Sequence, residues 1–289
     1  MWLVVLFIIG IGLILVCVQL SNEIIHPKKH VCEEVPTDLS KEEVYIDSPY
    51  GYKLHGLFFP NKDSKKFIII CHGFKCCLYT SMKYMHIFFK RGFNVLVYDN
   101  RYHGLSGGND VSFGYFEKYD LKAWTDWIVN RFGNDIIIGT HGESMGGGTV
   151  LQNIAIDSRI KFCIADCAYS DVTELMNHQL IQRYKYEWLS FLMPLVSIAT
   201  KIRSGWSFKE VSPIEELGEI DTPVLFIHGD CDDYVPTHMS RDMYKVKKGI
   251  KELYIAPNSR HAGAYCNNME EYDEKVGEFL ERVVRVEWV

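Results

Sequence analysis

Hydrophobic and polar positions follow two rhythms along this chain. The short runs KFIIICHGF, FNVLVYD, DIIIGT, IKFCIAD, PVLFIHGD and KELYI are apolar on successive residues and rich in β-branched side chains, so they read as strands buried on both faces. Between them stand longer amphipathic stretches such as FEKYDLKAWTDWIVNRF and the closing EEYDEKVGEFLERVVRV, which read as helices. The alternation predicts an α/β fold: a mostly parallel central sheet with helices on both faces. Earlier, VYIDSPYGYKLHGLFFP holds two strand-like runs around SPYGY, which suits an antiparallel hairpin at the sheet's edge. From about 170 to 213 the rhythm breaks into a helical insertion rich in aromatics (Tyr184, Tyr186, Trp188, Phe191, Trp206, Phe208), read as a small cap over a pocket or as extra core.

The first 20 residues, MWLVVLFIIGIGLILVCVQL, carry no charge, and their one strongly polar side chain is Gln19. That length crosses a bilayer as a helix. The stretch VCVQLSNE offers no small-residue cleavage site and no basic start precedes the apolar run, so a retained single-pass anchor is expected rather than a signal peptide. The chain therefore divides into a transmembrane anchor (1–20), a polar linker (21–43) and one large α/β domain (44–289). Lys28 and Lys29 follow the apolar run, so the positive-inside bias would place the domain in the cytoplasm, but two lysines leave the side of the membrane open. Nine cysteines, an odd number without regular spacing, fit a reducing compartment and ordinary loop or core thiols. A formal net charge of -6 with no basic stripe argues against nucleic acid as a partner.

The decapeptide GTHGESMGGG (139–148) follows the apolar run III and precedes the helical TVLQNIAI. Gly-x-Ser-x-Gly alone arises by accident in ~1 chain in 10 of this length, so the strand–turn–helix context carries the reading. In that context Ser144 sits on a nucleophile elbow, where a sharp turn holds the hydroxyl clear of the sheet and Gly142 and Gly146 relieve crowding. A phosphate loop would need a Lys in the turn, and the dinucleotide pattern Gly-x-Gly-x-x-Gly is missing.

A serine hydroxyl needs a base, and the base needs a carboxylate to steady it. The chain order Ser, acid, His is met by Ser144, then Asp230, Asp232 or Asp233 in HGDCDDYVP, then His261 in IAPNSRHAGAY. His72, His103, His141 and His228 compete for the base, but His261 alone follows the last strand-like run with a loop to carry it over the sheet's edge. The oxyanion requires two backbone N–H groups, expected from Met145 and from Phe74 in CHGF.

With these pieces in place, the chain from about residue 41 onward resembles the α/β-hydrolase superfamily, and within it the bacterial, often membrane-anchored esterases of the serine-aminopeptidase-like or dipeptidyl-aminopeptidase-like kind. The matching stretches are CHGF, YDNRYHGLSGG, GESMGGGTVL, GWSFKEVSPIE and HGDCDDYVP. The resemblance implies that Asp232 is the catalytic carboxylate, with Asp233 in reserve, and that Asp99, Arg101 and His103 tie down a loop beside the site. One departure is Arg260, where many relatives have Gly before the histidine. The expected chemistry is ester hydrolysis of a small-molecule or acyl substrate through an acyl-enzyme, with neither metal nor organic cofactor. The alternatives keep the triad and change the substrate to a peptide, with Glu143 gripping its amine, or to an acyl thioester; a non-catalytic binding module is the remaining reading.

Overall fold

A computed structural model describes residues 1–29 and 32–284. Linker residues 30 and 31, the end of the expected closing helix at Arg285 and Val286, and the domain's final residues lie outside the described ones. Eight strands form one sheet: β1 (Glu42–Asp47), β2 (Lys53–Phe59), β3 (Lys66–Cys71), β4 (Asn94–Tyr98), β5 (Ile137–Glu143), β6 (Ile160–Asp166), β7 (Val224–Gly229) and β8 (Lys251–Ala256). Their spatial order is β1-β2-β4-β3-β5-β6-β7-β8. β2 runs antiparallel to both neighbours, and every other pairing is parallel. The edge hairpin and the six predicted strands thus stand where the apolar runs put them, but β8, at the far edge of the sheet, is half-buried except at Tyr254 and Ala256 and is not enclosed on both faces as expected.

Side-chain alternation explains why these runs are apolar throughout. Ile68, Ile70, Val95, Val97, Ile164 and Ile227 point to one face, where Tyr272, Val276, Phe279 and Leu280 of the C-terminal helix (Met269–Val284) cover them. Their sequence neighbours Phe67, Ile69, Leu96, Tyr98, Ala165 and Phe226 point to the other face, against Leu121, Trp124 and Ile128 of the helix Glu117–Phe132. Both faces are covered, so both register positions are filled mainly by apolar side chains, with Thr140 and His141 of β5 among the buried polar exceptions. The whole is an α/β-hydrolase fold, with the strands' C-terminal ends gathered at one edge of the sheet.

Between β6 and β7 the insertion folds into two cap helices, Val172–Tyr184 and Leu192–Ser204. Asp171 caps the first by accepting the Glu174 N–H at 2.9 Å. The N-terminal helix, Trp2–Ile25, runs past the expected anchor boundary and is not detached from the domain. Leu13, Cys17, Leu20 and Ile24 share one side of it and pack into a third core with Met176, Leu180, Met193 and Val196 of the cap. Ser21 and Thr200 hydroxyls bond at 2.9 Å, and Arg203 donates to the Val18 carbonyl at 3.1 Å.

The cysteines require a correction. Cys32 and Cys77 form a disulfide across a sequence separation of 45, so the expectation of free thiols throughout does not hold. The bond joins the linker to the loop after β3, two segments whose proximity is created by the fold and leaves no trace in cysteine spacing.

Candidate active site

Ser144 stands between β5 and the helix Met145–Asn153 with φ 57° and ψ -114°. A residue with a β-carbon pays on the order of 1–3 kcal/mol for such backbone geometry, which the surrounding packing must enforce. The enforcement is visible in the glycines. A β-carbon on Gly142 would lie 2.2 Å from the Gly146 carbonyl oxygen, and one on Gly146 would lie 2.2 Å from that of Cys71, so the turn closes only with glycine at both positions. The Ser144 N–H is held by the Asp166 carbonyl at 2.8 Å, which fixes the elbow to the end of β6.

The hydroxyl of Ser144 lies 2.9 Å from Nε2 of His261, and Nδ1 of His261 lies 2.7 Å from Oδ2 of Asp232. A carboxylate oxygen only accepts, so Nδ1 carries the proton and Nε2 is free to accept from the serine. The structure therefore brings together Ser144, His261 and, of the three possible acids, Asp232. Asp230 is exposed and accepts the Ser259 N–H at 3.1 Å, bracing the histidine loop, while the exposed Asp233 offers its carbonyl to His178.

Asp232 is fully enclosed. Burial alone would raise its pKa, but hydrogen bonds from His228 and His261 outweigh it and hold the carboxyl well below the usual carboxylate range. Its other oxygen accepts the N–H groups of Tyr234 and Val235 at 3.0 and 2.9 Å. His228 is a participant that sequence reasoning treated only as a rival base. Its Nε2 lies 2.9 Å from the Val235 carbonyl and 3.2 Å from Oδ2 of Asp232, so that nitrogen bears hydrogen, and Nδ1 accepts from Ser240 at 2.7 Å. The signal was present in HGDCDDYVP, where His228 precedes Asp232 by one turn of chain.

Phe74 lines the cleft with Ser144, and Met145 follows the serine at the start of the helix Met145–Asn153. Among the described residues neither backbone N–H donates to another backbone group, leaving both available to a developing oxyanion. The loop bearing Phe74 is fixed from below. His72 donates from Nδ1 to the Gly73 carbonyl at 2.7 Å and accepts the Asn100 N–H at 2.9 Å, and His103 accepts the Lys75 N–H at 3.2 Å. Burial, and then the neighbouring His72, pushes the His103 pKa down to about 4, so it stays neutral and able to accept. Asp99 gathers His55 Nδ1 at 2.7 Å and the N–H groups of Leu78 and Leu105 at 2.9 and 3.1 Å, while Arg101 pairs with Asp110 at 2.8 Å. These contacts are loop bracing, and none reaches Ser144.

The cleft at Ser144, about 300 Å³, is lined by Phe74, Lys75, Tyr234, His261 and Ala262, with the Tyr234 ring 4.8 Å from that of His261. Arg260 is exposed and does not line it. Glu143 also faces the cleft, but its carboxylate is already engaged by Lys83 at 2.5 Å and by the Tyr84 hydroxyl at 2.5 Å. His141 points away beneath the sheet, where Nε2 meets the Tyr272 hydroxyl at 2.8 Å. Cys167, Asp232 and His261 place donor atoms within 4.8 Å of one another, a set that could in principle hold a metal. Two of the three already bond each other, and burial drives the Cys167 thiol well above its ordinary range, so the donors present are poorly matched to an ion.

The family model described as serine aminopeptidase, S33 matches residues 62–218. The chain is 39% identical over 248 residues to the uncharacterized protein YqkD of Bacillus subtilis (strain 168), covering 85% of this chain and 81% of that one. It is 26% identical over 163 residues to the lysophosphatidylserine lipase ABHD12 of Rattus norvegicus, covering 54% of this chain and 38% of that protein. Among solved structures, the Pyrococcus furiosus esterase Pf2001 superposes with a TM-score of 0.75 at 25% identity, covering 90% of this chain and 98% of that one.

Proposed function

This chain belongs to the serine aminopeptidase S33 family and is an α/β hydrolase, and from that premise we propose that it cleaves carboxylic esters through an acyl-enzyme on Ser144. The observation that carries the reading is the hydrogen-bonded line from Ser144 through His261 to Asp232, with two unengaged amides beside it. Nε2 of His261 takes the hydroxyl proton as Oγ of Ser144 bonds to the ester carbonyl carbon. The N–H groups of Phe74 and Met145 stabilise the oxyanion, and Asp232 steadies the imidazolium. As the intermediate collapses, the ester C–O bond breaks, the leaving alcohol takes the proton from His261, and the acyl group stays on Ser144. Water then gives its proton to His261 and releases the acid, restoring the serine.

Glu143 favours esters over peptides. An aminopeptidase must grip a substrate ammonium, and the Glu143 carboxylate that lines the cleft is occupied by Lys83 and Tyr84. The lipase among the relatives and the esterase among the solved structures point the same way. We further propose that the helix Trp2–Ile25 anchors the enzyme in a membrane. The Cys32–Cys77 bond supports an oxidising environment for the domain, against the two lysines that would hold it in the cytoplasm.

The test is fluorophosphonate labelling of wild type and Ser144→Ala, with mass mapping of the modified peptide, followed by a panel of p-nitrophenyl esters, acyl thioesters and aminoacyl anilides. Label on Ser144 and turnover of esters above anilides are expected. Near-native hydrolysis by Ser144→Ala would end the assignment, and an impermeant probe labelling intact cells would establish the outward orientation.

A further inference from the structure

A second cavity, about 150 Å³, opens beside the cleft, in the seam where the N-terminal helix meets the cap. Its walls are Leu20 and Ile24 from the N-terminal helix, Met176 and Leu180 from the first cap helix and Met193 from the second. Phe74 and Tyr234 line both this cavity and the cleft at Ser144, so the two spaces share a boundary made of the oxyanion loop and the acid loop. At the outer rim Glu23 and Arg183 pair at 2.6 Å, joining the N-terminal helix to the cap.

We infer that this seam is the acyl-chain site, and that Leu20 and Ile24 of the N-terminal helix set the chain-length preference of Ser144. The inference rests on the ester-hydrolase reading and adds a substrate class to it: an ester whose acyl part is a flexible apolar chain. Three features carry it. The wall side chains are Leu, Ile and Met, which recognise length and flexibility rather than shape, and Met adapts to irregular occupants. The exposed Glu23 and Arg183 are paired with each other, and apart from them Lys75 and Gln179 are the polar side chains among mostly apolar and aromatic walls. The boundary with the cleft is the loop bearing the oxyanion donor Phe74, so a carbonyl held at Ser144 directs its chain toward the seam. A cavity of this size matches one that holds a benzene-sized apolar guest, which corresponds to roughly six to eight carbons inside the seam.

A consequence is that the apolar N-terminal segment is part of the substrate site as well as an attachment. Removing it would open one wall of the chain site to solvent, leaving the triad intact.

The experiment uses the full-length protein and reads binding and turnover separately. On the Ser144→Ala background, binding of a fluorescent medium-chain fatty acid is followed with Leu20→Trp and with Ile24→Trp, both of which fill the seam. On the wild-type background the same substitutions are assayed with p-nitrophenyl octanoate and acetate. At least a tenfold loss of probe affinity is expected, with octanoate kcat/KM falling at least tenfold more than acetate kcat/KM and Ser144 still labelled by the fluorophosphonate. Leu20→Ala, which removes bulk, should instead shift the optimum toward longer chains. Unchanged fatty-acid binding in both Trp variants overturns the inference, as does an equal loss for acetate and octanoate. Absence of labelling in wild type would overturn the hydrolase reading instead, so the two failures are separable.

Discussion

Asp232 has two histidine partners, and each tests a different part of the chemistry. Asp232→Asn should leave the fold intact but present His261 with the wrong hydrogen-bonding group, lowering kcat by about 10³–10⁴-fold on p-nitrophenyl acetate. His228→Phe removes the second donor to Asp232, at 3.2 Å, together with the bonds to the Val235 carbonyl and the Ser240 hydroxyl. A hydrogen bond to a charged group contributes about 1.5–3 kcal/mol, so kcat should fall roughly 10–100-fold with little change in KM. The two histidines together hold the carboxyl well below 3.8 despite burial. Losing one donor lets the Asp232 pKa climb, so the acid limb of the kcat/KM profile should move to higher pH in His228→Phe. A merely structural His228 would lower the amount of folded enzyme and leave that limb in place. At this scale Ser144 and His261 were legible because a motif and its chain order constrain them directly. The acid was not separable from Asp230 and Asp233 by residue type alone, because which of three neighbouring carboxylates turns inward is decided by loop packing.

At the scale of elements, strands announced themselves and contacts between distant elements did not. β3 to β7 are buried on both faces, which forces runs such as FIII and VLFI into the sequence. The helix His238–Val246 behind the acid loop, by contrast, is amphipathic but only 9 residues long, shorter than the window of about 11–18 residues over which a helical period stands out in a sequence. The Cys32–Cys77 bond belongs to this scale as well. It closes a loop of 45 residues, which in the chain-entropy account stabilises by about 4 kcal/mol, so reduction or the Cys32→Ser, Cys77→Ser double variant should lower Tm by on the order of 10 °C. Leu78, the next residue, donates to Asp99 at 2.9 Å, so loosening the staple should also slow turnover through the adjacent oxyanion loop. A second element-level expectation concerns the end of β6. Burial, and then the nearby Glu143, raises the Asp166 pKa from 3.8 to about 6. A carboxyl whose folded pKa is raised contributes stability that is fully present below 3.8 and is lost as pH rises through about 6. Thermal unfolding should therefore show stability declining between pH 4 and 7 relative to Asp166→Asn, which lacks that slope; parallel curves for the two proteins would exclude Asp166 as its source.

For the whole molecule, the decisive length is that of the N-terminal helix. Its 24 residues span ~36 Å at 1.5 Å each, enough for a hydrocarbon core of about 30 Å. From Leu13 onward, however, one side of it is packed against the cap. The stretch from Trp2 to Gly12 is free of the domain and reaches only ~16 Å, about half the core. If the helix crosses a bilayer, the cap must then sit at the depth of the adjoining leaflet, and its outward side should be apolar. It is: Leu195, Ile198 and Ile202 form a helical stripe with 36%, 56% and 79% exposure, continued by Phe191 and Trp188. The sequence showed this stretch as a helical insertion, cap or extra core, but not which medium its outer stripe meets, because that depends on its contact with residues nearly two hundred positions away. The prediction is that a nitroxide at Ile198→Cys, in full-length protein with exposed thiols replaced and reconstituted into vesicles, is relaxed by oxygen and shielded from an aqueous nickel chelate. A nitroxide at Lys245→Cys, on the exposed side of a helix behind β7, should show the reverse. Equal access of the chelate to both sites would mean that the cap stands clear of the bilayer and that the helix cannot span it as packed. In the expected case the acyl-chain seam opens at the level of the lipid chains, and an amphiphilic ester would reach Ser144 without passing through water.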